Sequence, residues 1–80
     1  MKVKLLIRIK KEILDPQGKA LEASISHLGH KDIQDVRIGK MIEFEIQEQE
    51  KEKAKQVIDQ LCQQILTNPL LEDYEYEFER

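Results

Sequence analysis

The sequence has one cysteine, no tryptophan, three glycines and two prolines among its 80 residues. A lone Cys62 can form neither an internal disulfide nor a thiolate metal cage. With no disulfide framework, a reducing compartment is the simpler reading. Gly18, Gly29 and Gly39 stand singly, each at a turn or helix-end position, so no glycine-rich phosphate loop can be built from them. Excess basic charge is also lacking. The formal charge is -3 and the pI about 5.4, which disfavours a surface that tracks nucleic-acid phosphates. No stretch approaches the ~20 apolar residues of a membrane span. The opening MKVKLLIRIKKEILD alternates and is interrupted by Arg8, Lys10 and Lys11, unlike the apolar centre of a secretory signal. These absences together predict a cytoplasmic protein with no nucleic-acid or membrane partner.

Hydrophobic residues make up 40% and charged residues 36%, the balance of a soluble globular domain, and the length allows one domain over residues 1–80. Such a chain buries only about 60% of its unfolded surface, so its core is thin and association would help it. Residues 2–10 alternate, with Val3, Leu5, Ile7 and Ile9 on one face and Lys4, Leu6, Arg8 and Lys10 on the other, which predicts a half-buried strand. Asp15-Pro16-Gln17-Gly18 then reads as a helix start, with Asp15 as N-cap and Pro16 at the first helical position. Leu21, Ile25 and Leu28 recur at helical spacing and Gly29 suits the residue just past the end, giving a helix over about residues 16–28.

Residues 33–38 and 42–48 alternate again and are expected to form a hairpin around Gly39-Lys40-Met41, pairing Ile38 with Ile42, Arg37 with Glu43 and Val36 with Phe44. Ala54, Val57, Ile58, Leu61, Cys62, Ile65 and Leu66 mark a second helix over residues 50–66, stopped by Asn68-Pro69. Tyr74, Tyr76 and Phe78 alternate with glutamates in a last strand. The element order β-α-β-β-α-β predicts an α+β, ferredoxin-like fold: a four-stranded antiparallel sheet, order 4-1-3-2, with both helices on one face. Charge supports that order, because the basic outer face of the first strand meets Glu43 and Glu45 on one side and Glu75 and Glu77 on the other.

Fold does not assign function, and catalytic constellations are hard to find. His27 and His30 sit where the first helix ends and lack further ligands. The strand glutamates read as a solvated, ion-paired face rather than an acid–base pair. The aromatics of the last strand, interleaved with acids that repel phosphate, read as core rather than as base-stacking platforms. Cys62 lies on the apolar stripe of the second helix. Two blocks exceed what caps and turns require: Asp15-Pro16-Gln17-Gly18, and Asp35-Val36-Arg37-Ile38-Gly39-Lys40 with two basic groups in an acidic chain.

These blocks, together with Leu28-Gly29 and Asn68-Pro69-Leu70-Leu71-Glu72-Asp73-Tyr74, resemble the PurS family, the small subunit of phosphoribosylformylglycinamidine synthase. The resemblance runs the whole length of the chain. It departs at Leu70-Leu71, where a β-branched pair is expected. It implies a non-catalytic subunit of an ATP-dependent glutamine amidotransferase of purine biosynthesis. A glutaminase subunit (PurQ) releases ammonia, and a synthetase subunit (PurL) uses ATP and Mg2+ to add it to formylglycinamide ribonucleotide. The small subunit bridges the two as a homodimer or tetramer and binds no cofactor, metal or catalytic centre of its own. A bridge has a physical use, because free ammonia is diluted and mostly protonated at neutral pH, and ammonium has no lone pair for attack. Asp15, Gln17, Arg37 and Lys40 are the expected partner-facing residues. Two other families share the strand order. An amino-acid-sensing regulatory domain would bind a small ligand at a dimer seam. An acylphosphatase-like hydrolase would need a phosphate cradle where this chain has the acidic, apolar Glu12-Ile13-Leu14-Asp15-Pro16.

Overall fold

Residues 1–79 are described by a computed structural model, with elements β1 (Lys2–Ile9), α1 (Pro16–His27), β2 (Gly39–Glu45), α2 (Lys51–Leu61), a π-turn (Cys62–Leu66) and β3 (Glu72–Glu79). The sheet is antiparallel and three-stranded, in the order β2-β1-β3. β1 is central, with Leu5 facing Ile42 on one side and Tyr76 on the other. Its side chains divide as period two demands: Val3, Leu5 and Ile7 are buried, while Leu6 and Arg8 are exposed.

The expected four-stranded ferredoxin-like sheet is not what forms. The chain between α1 and β2 contains no strand, and β2 begins at Gly39, which the hairpin reading placed in the loop. The reason is local. Asp35 sits at φ 56, outside the strand region, and the amides of Val36 and Ile38 are taken by the carboxylates of Glu22 and Asp15 instead of by a neighbouring strand. The outer-face charges do pair across β1. Lys2 meets Glu43 at 3.6 Å, Lys4 meets Glu79 at 2.8 Å, and Arg8 bonds Glu75.

α2 covers the other face. Ala54, Ile58 and Cys62 recur every four residues and are fully buried, Ile58 and Cys62 against Val3, Leu5 and Ile7. The helix runs along β3: Lys51 lies over the Phe78 ring, and the Tyr74 hydroxyl donates to Asp59 at 2.9 Å. α2 leaves the flanks of this face partly open: Ile42 and Phe44 of β2 remain half-buried, as do Tyr74, Tyr76 and Phe78 of β3. α1 does not fill that gap. The apolar core cluster contains none of its residues, Leu21 and Leu28 are exposed, and only Gly18 is buried. The two helices therefore do not form the expected shared layer. The molecule is long and thin, 49 × 28 × 14 Å, with a radius of gyration of 16.0 Å where a compact chain of this length has about 12 Å.

Candidate functional site

The two blocks singled out in the sequence meet in space. Asp15 caps α1 as expected: its Oδ1 accepts from the Gly18 amide at 3.0 Å. Its Oδ2 accepts from the Ile38 amide at 2.8 Å, so one carboxylate joins the start of α1 to the chain entering β2. These amides, Ile38 first and then Gly18, hold the carboxyl below the usual aspartate range, although the residue is only 3% exposed. Seven residues along α1, two helical turns away on the same side, Glu22 Oε1 accepts from the Val36 amide at 3.1 Å.

Arg37 secures the same segment to the sheet. Its Nη2 donates to the carbonyls of Ile9 at 3.2 Å, Lys10 at 2.8 Å and Ile13 at 3.0 Å. These carbonyls belong to the end of β1 and the turn that leads to α1. The expected cross-strand pair with Glu43 is absent, because residue 37 lies in no strand and Glu43 pairs with Lys2. Gly18 closes the contact: a Cβ there would stand 2.2 Å from the Val36 carbonyl oxygen, so only glycine admits this approach.

Of the four residues expected to face a partner, Asp15 and Arg37 thus come together and are engaged within the chain. Gln17, on the first turn of α1, is exposed. Lys40 stands apart on β2, also exposed, 4.0 Å from Glu72 of β3. Glu22 was missed by sequence reasoning, and only its spacing from Asp15 could have pointed to it. Among the described residues no group of three His, Cys, Asp or Glu side chains is placed to hold a metal ion, and no helix is long and apolar enough to cross a membrane.

Comparison with known proteins gives one consistent result. The family model "PurS: Phosphoribosylformylglycinamidine (FGAM) synthase" matches residues 2–80. The phosphoribosylformylglycinamidine synthase subunit PurS of Bacillus subtilis is 36% identical, over 98% of this chain and 92% of that protein. The crystal structure of B. subtilis PurS superposes with a TM-score of 0.87 at 37% identity, covering 99% of this chain and 98% of that one. A chain in the structure of PurLQS from Thermotoga maritima gives a TM-score of 0.81 at 28% identity, with 96% of each chain covered.

Proposed function

This chain belongs to the PurS family of FGAM synthase, and on that premise we propose that it is the PurS subunit of a PurLQS-type complex in purine biosynthesis. The observation that carries the reading is the family match over residues 2–80, joined to relatives aligned along nearly their full length. The complex is the enzyme. This subunit adds no active site; it bridges a glutaminase and an ATP- and Mg2+-dependent synthetase in the cytoplasm, so that ammonia passes between them undiluted and unprotonated. A long, thin body with one charged, ion-paired sheet face suits a part that lies between two larger ones.

The working form is a homodimer or a higher oligomer. On α1 and its C-cap, Leu21 and Leu28 are exposed and Ile25 is only half-buried, and the sheet leaves β2 half-covered on the helix side. A second copy supplies the missing part to each: its α1 lies beside α2, over Ile42 and Phe44. Gln17 and Lys40 touch the larger subunits, while Asp15 and Arg37 shape the surface from behind.

The test is reconstitution. With both larger subunits present, glutamine-dependent synthesis should require this chain, whereas ammonia-dependent synthesis by the synthetase should change little when it is omitted. Unchanged glutamine-dependent turnover without it would overturn the assignment.

A further inference from the structure

α1 has almost no apolar anchorage to its own sheet, since none of its residues belongs to the apolar core cluster. The contacts that hold it are polar and converge on residues 36–38. From α1, Asp15 accepts from Ile38 and Glu22 accepts from Val36. From the sheet side, Arg37 grips the end of β1 and the following turn through Ile9, Lys10 and Ile13. Gly18 lets the helix backbone settle against Val36, where no side chain fits. We propose that this latch, and not packing, aims α1, with Gly18 and Glu22 as positioning residues that fix the direction in which its apolar stripe is offered to a second copy.

Two features set the latch apart from ordinary loop bonding. First, the fastened chain is strained: Asp35, just before it, has a positive φ, which a non-glycine residue holds only when its surroundings impose it. Second, the Asp15 and Glu22 carboxylates accept from backbone amides that a strand would have used, so the sheet gives up a fourth strand where the arm gains its support. An arm held by directional hydrogen bonds changes pose when one is lost, whereas a helix seated on a core does not.

The inference about aim stands on the single chain; its consequence for assembly rests on the dimer reading above. Spin labels at Ser24→Cys on α1 and Glu77→Cys on β3, both exposed positions, report the arm-to-sheet distance. Cys62 is fully buried and stays unlabelled under native conditions. Dilution with unlabelled protein removes distances between copies. The unmodified latch should give one narrow distance. Gly18→Ala and Glu22→Ala should each broaden or displace it by several ångströms, while the near-ultraviolet signal of Tyr74 and Tyr76 persists. If a dimer forms, both should weaken it at least tenfold. An unchanged distance in both variants overturns the proposal, and so does loss of the tyrosine signal in both, which would make the latch part of the core. A parent that stays monomeric at every concentration refutes the dimer reading alone, since the distance comparison still judges the latch.

Discussion

Tyr74 joins solvent to core. Its ring packs against the buried cluster beside Tyr76, and its hydroxyl reaches Asp59. Burial first, and then the bond to that carboxylate, pushes its pKa from 10.0 up to about 12. A folded-state pKa above the unfolded one favours the neutral phenol. The contribution is therefore complete below pH 10 and lost as the pH rises toward 12. Tyr74→Phe should flatten the alkaline limb of the stability curve between those values and lower neutral-pH stability by about 0.5–1.5 kcal/mol through the lost bond to Asp59, as read by denaturant titration across pH. Lys40 and Gln17 call for a different measurement. Both are exposed, and Lys40 approaches its carboxylate at only 4.0 Å, so folding asks little of either. Gln17→Ala with Lys40→Glu should leave Tm within a few degrees yet weaken association with the larger subunits at least about tenfold, or 1.4 kcal/mol. Titration of the reconstituted complex checks this.

At the level of elements, α2 depends on a narrow seam. Of the apolar residues that mark it in sequence, Ala54, Ile58 and Cys62 are buried, while Val57 is 41% and Ile65 75% exposed. The π-turn from Cys62 rotates the last residues away from the α-helical stripe, closing with the Thr67 amide on the Cys62 carbonyl at 3.2 Å. Ile58 is the largest side chain in the seam, and Ile58→Ala should cost about 2–5 kcal/mol, read as a lower urea midpoint at unchanged slope. Sequence periodicity found α1 with its cap, α2, and all three strands of the sheet. Crossover rules, supported by charge matching, identified both neighbours of β1. Periodicity failed at residues 33–38, where Val36 and Ile38 offered only two alternating apolar positions. The groups that decide their conformation, Asp15 and Glu22, lie 14 or more residues away and act on backbone amides, which leave no trace in an apolar pattern. The same limit hid half of the site. Arg37 was legible as an unusual charge, but its three carbonyl partners were not.

For the whole molecule, a radius of gyration of 16.0 Å means that much of the apolar surface has no cover within one chain. Sedimentation at micromolar concentration should show a dimer or larger species, and Leu21→Glu with Leu28→Glu should yield the 9.5 kDa monomer. A wild-type chain that sediments only as that monomer would contradict the dimer reading. The strand order has a further consequence, in time rather than space. β1 precedes both of its partners along the chain and is the middle strand of the sheet, and one of those partners is Glu72–Glu79. On the ribosome, Val3, Leu5 and Ile7 must therefore wait, apolar and half-paired, until the last strand emerges. Most of the chain is already outside the tunnel by then, so the sheet closes as a late, long-range event. In that interval the nascent chain exposes the segment most prone to stick to its neighbours, and Lys2, Lys4 and Arg8, spaced along that same strand, keep it charged while it waits.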